Sequence, residues 1–121
     1  MVRILMGAGA GKTTAAAGLS LRAASHGKCV RILQLLKPEI SPEFSALLRL
    51  GNVRVTVANP DIPFFFTLTD REKAERIAET EQAVKAFFTP QDSDFLLVVD
   101  EIGGALQNGM LKVRGVEPDM V

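Results

Sequence analysis

Gly7-Ala8-Gly9-Ala10-Gly11-Lys12-Thr13-Thr14 is the stretch on which the fold turns. A short apolar run, Val2–Met6, stands before it, and an alanine-rich piece, Lys12–His26, follows. The first reads as a buried strand. The second reads as a helix, stopped by Gly27 in a left-handed cap. A glycine-rich turn between strand and helix lets successive backbone N–H groups converge at the helix start without Cβ clash. Such a nest suits phosphate oxygens. Lys12 brings a point charge to a phosphate chain, and the Thr13 hydroxyl is of the type that ligates Mg²⁺. The general phosphate loop is G-x-x-x-x-G-K-[ST], but counting back five from Gly11 lands on Met6. The first glycine is Gly7, so this loop is one residue short. The dinucleotide fingerprint G-x-G-x-x-G also fails, because Lys12 stands where the third glycine belongs.

Outward from the loop, strand-like and helix-like pieces alternate. Cys29–Leu36 is dense in apolar and β-branched residues and reads as a second strand, with Pro38 beyond it. Ser41-Pro42-Glu43 has the chemistry of a helix start: a capping hydroxyl, proline at the first position, then an acid. Phe44, Leu47, Leu48 and Leu50 follow at helical spacing, and Gly51 ends the piece. Val53–Val57 alternates, as a strand with one polar face does, and Asn59–Pro63 is a proline-marked loop. Thr69-Asp70-Arg71-Glu72 is a capping box. Its helix is expected to carry Ala74, Ile77, Ala78, Val84, Phe87 and Phe88 on one side, and to end at Pro90. Phe95–Val99 is an apolar strand delivering Asp100 and Glu101 to its C-terminal end. From Gly103 on, a short helical turn is the most that the pattern predicts. Continuous apolar strands alternating with helices predict parallel βαβ units and a layered α/β fold.

In open α/β sheets, ligands sit at the C-terminal ends of strands. Asp100 there can hold Mg²⁺, directly or through water, opposite Thr13. Glu101 can polarise a water or bind a sugar hydroxyl. Composition narrows the classes further. The 121 residues make one domain, 1–121, at 47% apolar and 23% charged. Fourteen basic residues balance fourteen acidic ones, and no like-charge run appears, so a nucleic-acid partner is not expected. Cys29, the only cysteine, forms no intrachain disulfide or metal set and reads as a small buried residue at a strand start. With no signal-like start and no membrane-length apolar run, a cytoplasmic protein away from the membrane is expected.

Three segments together resemble the ATP:corrinoid adenosyltransferases of the BtuR/CobO type. That family carries a shortened loop, G-N-G-K-G-K-T-T-A-A, then G-L-A-x-R-A-x-G-H-G-K. Here Gly7, Gly9, Gly11, Lys12, Thr13, Thr14, Ala15 and Ala16 match, as do Gly18, Leu19, Arg22, Ala23, His26, Gly27 and Lys28. Ile32–Lys37 is similar to the family's V-x-Q-F-x-K strand end. Val98–Gly103 with Ala105, Leu106, Gly109, Met110 and Leu111 is similar to L-D-E-I-N-x-A-L-x-x-G-L-L. Thr69–Glu72 sits where the family has its T-x-x-x-R-D helix start. The departures are Ala8 and Ala10 for Asn and Lys, Gly103 for Asn, and a sequence shorter at its C-terminal end than is usual in the family.

The resemblance implies a three-layer, P-loop NTPase-like (RecA-like) domain, mainly parallel, with flanking helices. It implies transfer of the 5′-deoxyadenosyl group of ATP to Co(I) of a reduced corrinoid, with triphosphate leaving. It implies a nucleotide site at Gly7, Ala8, Gly9, Ala10, Gly11, Lys12, Thr13, Thr14, Lys37 and Glu101, with Lys12 acting in catalysis. Mg²⁺ would lie on Thr13 and Asp100, and Phe64 and Phe66 would contact the corrinoid. A homodimer and a reductase supplying the electron are the partners it suggests. Two other readings stay open: another P-loop phosphotransferase or NTPase, and a non-catalytic nucleotide-binding fragment.

Overall fold

The structure, a computed structural model, describes residues 3, 5, 10–58, 67–109 and 111. The expected strand Val2–Met6 (apart from Arg3 and Leu5), the glycines of the loop before Ala10, the 59–66 segment and everything from residue 112 lie outside the described residues.

Among the described residues, eight elements run in order: α1 (Lys12–Ser25), β1 (Cys29–Gln34), α2 (Pro42–Leu47), a 3₁₀ turn (Leu48–Leu50), β2 (Val53–Val57), α3 (Asp70–Phe87), β3 (Asp94–Asp100) and α4 (Ile102–Gln107). The three strands form one parallel sheet in the order β2-β1-β3. Ile32 of β1 faces Val55 on one side and Val98 on the other; Gln34 lies between Val57 and Asp100. Residues 30 and 32–34 of the central strand β1 are buried, because helices cover both faces of the sheet.

The two faces fill with different helices. Val30, Ile32 and Val53 pack with Ala17 and Ala24 of α1 and with Phe44 and Leu47 of α2. On the opposite face, Leu33 and Leu35 pack with Phe87 of α3, Ala105 of α4 and Leu111. The result is an α/β/α layering, the α/β class expected. Among the described residues no helix is long and apolar enough to cross a membrane.

Several boundaries differ from the sequence reading, each for a physical reason. β1 ends at Gln34 rather than Leu36 because Leu36 turns into the left-handed region at φ 62°. Leu35 stays wholly buried, its N–H donating to the Asp100 carbonyl at 3.2 Å. The Pro42 helix tightens into 3₁₀ geometry after Leu47, which leaves Leu48 and Leu50 exposed and only Phe44 and Leu47 in the core. α3 opens on its capping box as predicted. Its buried side is narrower, though: Thr80 and Phe87 are buried, Ile77 and Val84 half-buried, and Ala74, Ala78 and Phe88 exposed. Phe88 follows the last helical residue and swings outward, edge-on to Phe87 with ring centroids 5.3 Å apart. Cys29 is half-buried rather than buried, at the rim of the sheet. α4 makes six residues where at most a turn was expected.

At the N-terminal end of the sheet, the Arg31 guanidinium donates to both carboxylate oxygens of Asp94 at 2.7 Å and lies 5.0 Å from the Phe87 ring centroid. The hydrogen bond from Arg31 holds the Asp94 carboxyl below its usual range, and the same bond raises Arg31. The pair ties β1 to the start of β3 and to α3.

Candidate functional site

The C-terminal ends of β1 and β3 meet the start of α1. Gly11 caps α1 at φ 107°, a backbone that a side chain rarely tolerates, and its carbonyl accepts from Ala15 N–H at 2.9 Å. Lys12 opens the helix and is half-buried. One residue on, Thr13 points its hydroxyl at the end of β3, donating to Asp100 Oδ1 at 3.1 Å with Oδ2 at 3.4 Å. Asp100 has an 8% exposed side chain. A buried carboxylate needs partners, and Lys37 supplies the second, its Nζ 3.4 Å from Oδ2. Lys37 is also 3.9 Å from Glu101 Oε1.

Two non-glycine residues with positive φ frame this cluster. Leu36 (φ 62°) lies just past β1 and Glu101 (φ 66°) just past β3. A left-handed backbone costs an ordinary residue about 1–2 kcal/mol. Such strain gathers at functional sites. The two turns deliver Lys37 and the Glu101 carboxylate to one sheet edge. α4 then packs close: a Cβ at Gly104 would sit 2.8 Å from Leu36 Cδ1 and 3.2 Å from Glu101 Oε2. Gly104 thus permits the approach.

A cleft of about 560 Å³ opens beside the cluster, between Ala10, Gly11, Thr13 and Thr14 on one side and residues 37–43 on the other. Thr14 reaches across to Glu43, hydroxyl to Oε1, at 3.4 Å. Ser41 departs from expectation. It occupies the N-cap of α2, followed by Pro42, but its hydroxyl makes no capping bond. Instead its oxygen accepts from Lys37 Nζ at 3.4 Å, and its N–H donates to Gln34 Oε1 at 2.9 Å.

Of the residues singled out from the sequence, Ala10, Gly11, Thr13, Thr14 and Lys37 line this cleft. Lys12 stands between them in the chain, and Asp100 and Glu101 adjoin through Thr13 and Lys37. Gly7, Ala8, Gly9, Phe64 and Phe66 lie outside the described residues. Sequence reasoning missed the bonds of Gln34 to Glu39 and Ser41, and that of Ser41 to Lys37. A glutamine inside an otherwise apolar strand end, C-V-R-I-L-Q-L-L, was the available signal for the first. For Ser41 the helix-start motif pointed elsewhere.

The donor set suits a hard cation. The Thr13 hydroxyl and Asp100 carboxylate are adjacent oxygens, and Mg²⁺ takes one or two protein oxygens together with water and phosphate. Among the described residues no cluster of three or more His, Cys, Asp or Glu side chains could hold a metal by itself.

The description "ATP:corrinoid adenosyltransferase BtuR/CobO/CobP" belongs to a family model that matches residues 1–120. A corrinoid adenosyltransferase of Pseudomonas aeruginosa is 30% identical over 114 residues, an alignment covering 94% of this chain and 56% of that protein. The chain spans about half the length of this curated relative.

Proposed function

The chain belongs to the ATP:corrinoid adenosyltransferase BtuR/CobO/CobP family, and from that premise we propose that it transfers the 5′-deoxyadenosyl group of ATP to a reduced corrinoid. The observation that carries the reading is the Thr13–Asp100 pair at the mouth of the glycine loop, with Lys37 beside it. A triphosphate needs cations and N–H donors; Lys37 stands at this edge, and the start of α1 adjoins it.

The reaction asks little proton chemistry of the protein. The Co(I) electron pair of the corrinoid attacks C5′ of ATP. A cobalt–carbon bond forms, the C5′–O bond breaks, and its electron pair leaves on triphosphate. The protein's share is to hold C5′ in line and to stabilise charge on the leaving group. Lys12, Lys37 and the loop N–H groups of Gly7, Ala8, Gly9, Ala10, Gly11, Thr13 and Thr14 take that role. Thr13 and Asp100 would hold Mg²⁺, which when bound supplies positive charge against the phosphate oxygens. Glu101, at its strained corner, is placed in this reading on a ribose hydroxyl. Phe64 and Phe66 give an apolar face to the corrinoid. Ala10 leaves the loop one cation poorer than the family pattern, which argues for a slower enzyme. A single domain, a cytoplasmic site of action, a homodimer and a reductase supplying the electron complete the proposal.

The test is product identity. With ATP, Mg²⁺ and a chemically reduced corrinoid, the protein should form a light-sensitive cobalt–carbon bond and release triphosphate. ADP or phosphate released without corrinoid would assign a phosphotransferase or NTPase instead. Nucleotide binding without turnover would leave a binding fragment.

A further inference from the structure

Gln34 closes β1 with no exposed surface, next to Ile32, Leu33 and Leu35, which are equally buried. Its main-chain carbonyl is taken by Ala58 N–H at 3.1 Å. Its side-chain amide turns to neither neighbouring strand. Oε1 accepts from Ser41 N–H at 2.9 Å, and Nε2 donates to the Glu39 carbonyl. Both polar ends of one buried side chain are thus engaged by the backbone of a single loop.

That loop, residues 37–43, is the wall of the cleft facing Gly11, Thr13 and Thr14. It carries Lys37, whose ammonium lies 3.4 Å from Asp100 Oδ2 and 3.4 Å from Ser41 Oγ. The bonds from Gln34 to Glu39 and Ser41 leave the loop little freedom to swing away from the sheet. Packing alone does not call for an amide here. Leucine or methionine fills a strand end without the desolvation that a buried amide must recover through hydrogen bonds.

We propose that Gln34 is a positioning residue of the nucleotide site: by gripping Glu39 and Ser41 it sets the 37–43 wall and keeps Lys37 against Asp100. This rests on the reading of the cleft as the ATP site. It assigns Gln34 no contact with substrate.

The test compares three variants of the protein with the unaltered form, titrating ATP in excess Mg²⁺ by calorimetry and following amide exchange by NMR. Gln34→Met keeps the volume and removes both bonds. Its affinity for ATP should fall about tenfold. The Ser41 amide should lose protection while those of Ile32 and Leu33 keep theirs. Gln34→Glu retains the acceptor for Ser41 but sets a carboxylate against the Glu39 carbonyl, and should fall between the two; it serves if the Met variant does not fold. Leu33→Val, on the other face of β1, should lower the melting temperature and leave ATP affinity unchanged. Affinity within about twofold of the unaltered protein in both Gln34 variants overturns the proposal. So does an equal loss in Leu33→Val. If ATP binds and depends on Gln34 but no cobalt–carbon bond forms, the positioning role stands and the transferase reading falls. Adenosyl transfer indifferent to Gln34 has the opposite meaning: the transferase reading stands and the positioning role falls.

Discussion

Thr13 and Asp100 stand 87 positions apart in the sequence and 3.1 Å apart in space. Each was readable by itself, one from the Gly-Lys-Thr sequence and the other from an apolar strand ending in acids. Their juxtaposition follows from the rule that ligands gather at the C-terminal ends of parallel strands. Gln34 shows the opposite case. Its polar side chain in an apolar strand was visible, but its partners are backbone groups of a loop, and backbone groups carry no residue signature. At this scale Lys12 is the sharpest handle on the nucleotide. Lys12→Ala should weaken ATP binding about tenfold or more, on the order of 1.4 kcal/mol. Calorimetry that finds the affinity unchanged would place the nucleotide elsewhere.

The elements differ in how locally they are written. α3 starts as expected, because a capping box closes within four residues: Glu72 N–H donates to Thr69 Oγ1 at 3.2 Å. The start of α2 looked just as local, yet the Ser41 hydroxyl makes no capping bond and accepts from Lys37 Nζ instead. The join of β1 to β3 gives a prediction from the Arg31–Asp94 pair, whose side chains are 12% and 17% exposed. The folded carboxyl titrates below its unfolded value, so its stabilisation is fully present above the ordinary aspartate range, near pH 3.9. It is lost as pH falls through the folded value. Asp94→Asn should therefore lower stability at neutral pH and flatten the acid limb of the stability curve. Denaturant titrations from about pH 6 down to about pH 2.5 would read this; parallel curves for the two proteins would exclude the pair as its source.

Among the described residues, one sheet carries two cores that share a strand. Ile32 and Leu33 are both fully buried, and they belong to different layers. Removing bulk from one layer should be felt by the other through β1. Leu33→Ala is expected to cost about 2–5 kcal/mol. The melt should stay a single transition by circular dichroism, displaced to lower temperature. Two resolved transitions would mean that the layers fold separately.

The sequence by itself determined the alternation of strands and helices, the parallel α/β class, the cap of α3, the glycine turn at Gly11 and the family resemblance. These depend on periodicity and on residues within a few positions of each other, where sterics and hydrogen-bond reach act directly. Tertiary structure alone decided that β1 lies between β2 and β3, that β1 ends at a left-handed Leu36, and that half of the apolar positions assigned to α3 face solvent. It also decided that the Gln34 amide bonds to the backbone of Glu39 and Ser41. Strand order and side-chain partnership are set by which surfaces bury one another across long loops, and nothing within a local window encodes that choice.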